Sequence, residues 1–347
     1  MNTPFLKLDH LETLSDEVGL MEHARLATPR RECGYTTDDN GRMLAVLART
    51  DLRGLGAEGD EESGLRLCRL GLSYLQRASL PREHGFRNRL SYERRWLDNR
   101  GSDDSYGRAL WGLGTLAARS FDAGLKEAAH KLFWSNYRLQ SPHSRSIVYA
   151  LLGAVEMAEL DKSVDLENQI RKWADQLRGP SRVNSRGRWM WPDPRLTYDN
   201  ARYPEALMAA GIALSDQRLI KDGLALLVWL VDIESAPEGH FSWTPVGGRS
   251  VANLGPGFDQ QPLEGWAMID AASVAALLDG PHWLGVAELA RSWFLGRNDT
   301  GQLMVDTETG AGFDGLTENG PNRNRGAEST LAAVAAMSRA DAGAQRV

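Results

Sequence analysis

The sequence predicts an all-α fold in which residues 1–347 form a single domain: two concentric rings of about six helices, an (α/α)6 toroid. Three observations predict it. Helical periodicity dominates, with apolar residues three and four apart, as in GLKEAAHKLFWSNYRL from Gly124. Two kinds of helix alternate strictly along the chain. Long polar loops precede one kind only.

In chain order, amphipathic helices are expected over 5–24, 64–78, 124–138, 163–177, 217–233 and 283–296. Each is followed by an Ala- and Gly-rich helix, over 38–49, 103–118, 143–158, 203–214, 262–278 and 326–339. A helix apolar nearly all round must be buried all round. One hairpin cannot do this alone, so the units must stack into a closed ring. The loops 79–102, 179–202, 235–261 and 297–325 lead into the inner helices, whose N-termini therefore share one elaborated rim. Strand-like alternation is confined to Trp189–Trp191 and Phe241–Trp243, both read as loop hairpins.

Bulk properties narrow the function. Hydrophobic residues make up 42% and charged residues 25%, which excludes a disordered chain. A net charge of -6 with no Lys/Arg run argues against nucleic acid as a partner. Cys33 and Cys68 lack metal-ligand spacing and do not make a disulfide scaffold. The first residues carry no secretory core and no stretch is apolar enough to span a bilayer, so a cytoplasmic chain without a membrane partner is expected. Nucleotide-binding, zinc-protease and serine-hydrolase motifs are absent, so no cofactor and no metal is expected.

The chemistry sits where the inner helices begin. Tyr35, Asp38, Asp39, Asn40 and Arg42 open the first; Asp103, Asp104 and Tyr106 the second; His143 the third. Asp199, Asn200, Arg202 and Glu205 open the fourth, Asp259, Gln260, Gln261 and Glu264 the fifth, Arg325 and Glu328 the sixth. Capping explains one acid per helix, because Asp, Asn and Ser are good N-caps. It does not require paired acids flanked by amides, arginines and tyrosines. Converging on one bowl, these groups suit a polyhydroxylated ligand. Crowded carboxylates can also supply the protonated and ionised pair that glycoside hydrolysis needs. The catalytic candidates are Asp38, Asp39, Asp103, Asp104, Asp199, Asp259 and Glu328. The substrate-binding candidates are Tyr35, Asn40, Arg42, Trp96, Tyr106, His143, Asn200, Arg202, Trp243, Gln260, Gln261, Glu264 and Arg325. Trp111, Trp229 and Trp266 fall within helices and read as core; Trp96, Trp189, Trp191 and Trp243 fall in rim loops and are candidate sugar platforms.

The strings GYTTDDNGR, DDSYGRALWGLG, YDNARYPEALMAAG, FDQQPLEGWAMIDA and NRNRGAESTLAAV resemble a bacterial helical domain found alone or fused behind family-4-like glycosyltransferases. That domain is similar to six-hairpin glycosidases. The resemblance runs from about His23 to Ala340, with Gly41 where alanine is usual and Arg325 where glutamine is common. It implies a carbohydrate-active enzyme of mannoside- or glucoside-containing oligosaccharides, with a separate glycosyltransferase or phosphorylase as a partner. Three functions compete. A glycoside hydrolase would use the acids. A sugar epimerase or isomerase would depend on histidines, with His143 and His240 essential. A non-catalytic glycan-binding module would use the acids only to hold hydroxyls.

Overall fold

The computed structural model describes residues 7–52, 60–178 and 189–338. It is an (α/α)6 toroid. The inner helices are α2 (Thr37–Leu47), α4 (Asp103–Arg119), α6 (Ser144–Ala158), α8 (Arg202–Leu214), α10 (Pro262–Asp279) and α12 (Ala327–Ser338). Each packs on the next, and α12 packs on α2, which closes the ring. The outer helices α3 (Asp60–Ala78), α5 (Ala123–Asn136), α7 (Val164–Leu177), α9 (Gln217–Glu234) and α11 (His282–Phe294) each lie against the inner helix of their own hairpin.

Small residues set the ring spacing. A methyl group added at Gly114 of α4 would overlap the Gly153 carbonyl of α6, and one at Gly112 would overlap the Gly41 carbonyl of α2. The backbones thus approach where larger side chains would hold them apart. Gly114→Ala is expected to cost about 1–3 kcal/mol by overpacking. Gly285→Ala on α11, where an added methyl meets nothing within 4 Å, is expected to be neutral or stabilising. Thermal unfolding of the two variants checks this, and equal effects would contradict it.

The first outer position departs from expectation. Instead of a helix over 5–24, the described residues hold only α1 (Asp9–Thr13), packed on α12. Asp16 ends it locally, its Oδ1 accepting the Val18 amide at 2.8 Å in a side-chain turn that competes with the helix. A hairpin of β1 (Ala24–Arg25) and β2 (Thr28–Pro29) follows.

The loop hairpins also differ. Trp189 and Trp191 lie in no strand, and Phe241 makes only an isolated bridge to Ser235. The regular pairing joins two loops instead, Arg195–Leu196 with Arg249–Ser250, tying the lead-ins of α8 and α10 together. Residues 179–188 of the second long loop and residue 339 of the last expected helix lie outside the described residues. Among the described residues, no helix is long and apolar enough to cross a membrane.

Candidate functional site

Capping does not account for the acids at the rim. Thr36 caps α2, its side chain accepting the Asp39 amide, and Ser102 caps α4 through the Ser105 amide. Asp38, Asp103 and Asp104 therefore occupy the first turns without serving as caps. Asp39 takes part in the α2 cap only by accepting the Thr36 hydroxyl at 2.7 Å.

Two arginines draw the acids of three helices together. Arg42 contacts Asp38 and Asp39, each at 3.0 Å, and reaches Glu328 on α12 at 2.5 Å. Arg108 on α4 contacts Asp38 at 2.6 Å and lies 3.8 Å from Asp104. Both arginine side chains are 5% exposed, whereas the Asp38 and Asp104 side chains are 22% and that of Glu328 35% exposed. The open face of the cluster is thus lined by carboxylates, with the positive charge beneath them. Four carboxylates, Asp38, Asp39, Asp104 and Glu328, share these two guanidiniums.

Neighbouring helices orient the cluster. Ser146 on α6 donates to Asp104 Oδ1 at 2.6 Å, and the Tyr198 hydroxyl donates to Asp104 Oδ2. Arg108 donates to the Tyr149 hydroxyl at 2.9 Å, which donates to Asp199 Oδ2 at 2.7 Å. Burial keeps both phenols neutral by raising them above the ordinary tyrosine range. Burial alone would make Asp104 harder to ionise, but Arg108, Ser146, Tyr198 and Arg145 together outweigh it and hold its carboxyl below the usual value. Asp39, more deeply buried, is pushed up to about 7: desolvation and the adjacent Asp38 outweigh Arg42.

These opposed shifts predict a pH dependence of stability. A folded-state carboxyl raised by burial contributes stability that is complete below its unfolded value and is lost as pH rises through its folded value. Asp39 loses its contribution through about 7, and buried Glu234 and Glu264, also raised chiefly by desolvation, act in the same direction. Asp104 runs the other way, its contribution present above the ordinary carboxylate range and lost on acidification. Thermal unfolding should therefore peak in mild acid and decline toward mild alkali, and Asp39→Asn should make that decline shallower. An unchanged slope in the variant would contradict this.

Below the rim, a charged column follows the barrel axis. Arg202 is fully buried between the rings of Trp111 and Trp266, 4.6 and 4.4 Å from their centroids. It pairs with Glu205 at 2.7 Å and Asp270 at 2.5 Å. Arg49 continues the column from Asp270, at 3.4 Å, to Glu156, at 2.8 Å, and Arg119 ends it on Glu156 at 2.6 Å. Glu205 thus belongs to this buried column although it lies in the first turn of α8.

The other expected site residues divide. Asp199 is buried, in a left-handed turn at φ 51°. Glu264 holds that turn by accepting the Asp199 and Asn200 amides and, at 3.3 Å, the Asn200 side chain. Asn40 is fully buried and bonds the Leu20 amide and the Thr36 carbonyl. Gln260, fully buried too, accepts from the Trp243 amide and donates to Asp299 at 2.8 Å. The Tyr106 hydroxyl turns outward to the Asn136 carbonyl on α5. Tyr35 bonds Asp16 at 2.5 Å and stacks on Tyr92. Arg325 pairs with Asp306 at 3.2 Å. His143 is exposed at the start of α6, Gln261 is half-buried at the start of α10, and Asp103 and Asp259 stand apart from the arginine cluster.

Most of the expected sugar platforms pack inward. Trp191 and Trp243 are fully buried and Trp189 nearly so; Trp243 stacks on Phe241 at 4.4 Å, and Trp189 meets Trp229 at 5.2 Å. Trp96 is half-buried against the edge of Tyr74. The aromatic surface near the acids belongs instead to Tyr198, 5.8 Å from the Arg108 guanidinium and 5.5 Å from that of Arg145. Arg108, Ser146, Tyr149 and Tyr198 were not singled out from the sequence. An acid followed four residues later by arginine at the start of an inner helix, Asp38 with Arg42 and Asp104 with Arg108, is the signal that finds Arg108. Tyr149, in mid-helix, has no such signal.

No family model and no curated protein matches this chain. Solved structures do. The fold is similar to that of a sugar epimerase from a ruminal bacterium, at 12% identity and a TM-score of 0.68, over 95% of this chain and 94% of that one. It is similar to cellobiose 2-epimerase from Bacillus thermoamylovorans, at 10% identity and a TM-score of 0.69, over 96% of both chains. It is also similar to a GH76 α-mannanase from Bacteroides thetaiotaomicron, at 10% identity and a TM-score of 0.58, over 88% and 86%. At such identities the likeness is one of fold: the chain is built on the (α/α)6 toroid that these sugar epimerases and glycosidases share.

Proposed function

We propose that this chain is a glycan-cleaving enzyme that hydrolyses mannoside- or glucoside-containing oligosaccharides with carboxylates of the arginine cluster. One observation carries the reading: Asp38, Asp104 and Glu328, from three helices, converge on Arg42 and Arg108 and keep partly exposed side chains. In this reading Asp104, held ionised by its neighbours, acts as base or nucleophile. Glu328, the most exposed of the four acids and so the one most open to a departing sugar oxygen, takes the part of proton donor. Asp38, gripped by both arginines, aligns them. Tyr198 and Arg145 supply hydroxyl-binding contacts beside Asp104.

A second reading, a sugar epimerase, draws on the similar solved structures that are sugar epimerases and on exposed His143 at the same rim. The acids that meet at Arg42 and Arg108 carry the hydrolase reading, and His143 carries the epimerase one. His143→Ala and His240→Ala variants, assayed beside the acid variants on gluco- and manno-oligosaccharides, separate the two. Hydrolysis predicts near wild-type turnover in the histidine variants. Loss in both, with the acid variants active, would replace it with epimerisation.

A further inference from the structure

Beside the acid cluster, the β1–β2 hairpin and the lead-in to α12 enclose an open groove of about 790 Å³, within the size range of ligand sites. Its walls include Arg25, Leu26, Thr28, Arg30, Glu32 and Asn324. The groove is anchored to the rim. The Leu26 amide donates to Asn324 Oδ1 at 2.9 Å, the Arg325 amide donates to the Leu26 carbonyl at 3.0 Å, and the Ala327 amide donates to the Glu22 carbonyl at 3.0 Å. Asn324 is four residues from Glu328, so their Cα atoms are at most about 15 Å apart.

Leu26 is placed against the interests of folding alone. It takes the first position of a two-residue hairpin loop at φ 52°, where glycine is the favoured residue, and the residue is 60% exposed. A bulky residue in the left-handed region is strained, and its exposed side chain adds little to the core. Around it, Arg30 and Glu32 are fixed to each other at 2.8 Å, while Arg25 is exposed and makes no ion pair among the described residues. One apolar face ringed by donors and acceptors matches a sugar unit, apolar on its ring face and polar at its edge.

We propose that this groove binds further saccharide units of a chain whose scissile bond lies at Glu328 and Asp104, so that the substrate is longer than a disaccharide. This rests on the glycan-cleaving reading above. The test compares wild type with Leu26→Gly and Asn324→Ala on manno- and cello-oligosaccharides from disaccharide to hexasaccharide. kcat/KM is measured together with calorimetric binding. Leu26→Gly retains the turn, because glycine accepts positive φ freely, so it removes the side chain without unfolding the hairpin. The groove predicts that Leu26→Gly lowers hexasaccharide kcat/KM and affinity about tenfold, the scale of one lost apolar contact, that Asn324→Ala, which frees the Leu26 turn from the rim, lowers both in the same direction, and that disaccharide values are unchanged. Equal effects on short and long chains, or none on either, would overturn the groove and leave the cleavage reading standing. Length-dependent binding lost in the variants, with no cleavage by wild type, would support the groove and overturn cleavage. Failure of wild type to bind any member of the series would overturn both.

Discussion

Asp104→Asn is expected to lower turnover by about 10²-fold or more with the fold intact, the usual contribution of a positioned acid or base. Asparagine keeps one oxygen for the Ser146 and Tyr198 donors, and the rotatable hydroxyls adapt to the new amide, so structural loss should be small. Its charge is what disappears. Glu328→Gln should be distinguishable by substrate. A proton donor matters when the departing sugar oxygen must be protonated and matters little when the leaving group is an acidic phenol. Glu328→Gln should therefore lose cleavage of oligosaccharides by about 10²-fold while retaining most activity on an aryl glycoside. Equal loss on both substrates would remove Glu328 from the donor role. Mild effects of both variants on both substrates would reduce the cluster to a binding surface.

Arg202→Ala is expected to produce the largest loss of stability, about 3–5 kcal/mol, because it leaves Glu205 and Asp270 buried without their nearest countercharge. The Trp111 and Trp266 rings would also face a void where the guanidinium is stacked. Arg49 compensates only in part, at 3.4 Å from Asp270 and 3.8 Å from Glu205. The coupling is checkable by a double-mutant cycle in denaturant unfolding. Arg202→Met combined with Asp270→Asn should cost less than the sum of the single changes, since the second removes the charge that the first strands. Additive losses would mean that the axial column acts as separate side chains and not as one network.

The barrel was legible in the sequence because inner and outer helices answer to different physics. The stretch expected over 103–118 is Asp103–Arg119, and that over 203–214 is Arg202–Leu214. Ala and Gly mark them because neighbouring backbones nearly touch, as at Gly114 and Gly153. Apolar periodicity is silent about the axis. Glu156, Arg202, Glu205 and Asp270 sit in helices that read as uniformly apolar, and although Arg202 and Glu205 pair within α8, Glu156 and Asp270 find their arginines on other hairpins. The stretch 5–24 misleads for a local reason, the side-chain turn at Asp16. Trp243 misleads for a tertiary one. Its polar loop folds back on the buried Gln260 side chain, and no local pattern reports that closure. The acids at the rim were visible individually. What joins them, Arg108 from the next helix and Tyr149 from the one after, appears only once the ring closes.

The central claim is that the acid cluster breaks a glycosidic bond. Proton NMR of wild-type protein incubated with gluco- and manno-oligosaccharides tests it most directly, because new reducing ends and altered ring stereochemistry give separate signals. The account predicts new reducing ends and shorter chains, absent with Asp104→Asn. A full-length product changed only in ring stereochemistry, with no new reducing end and no dependence on Asp104, would contradict it.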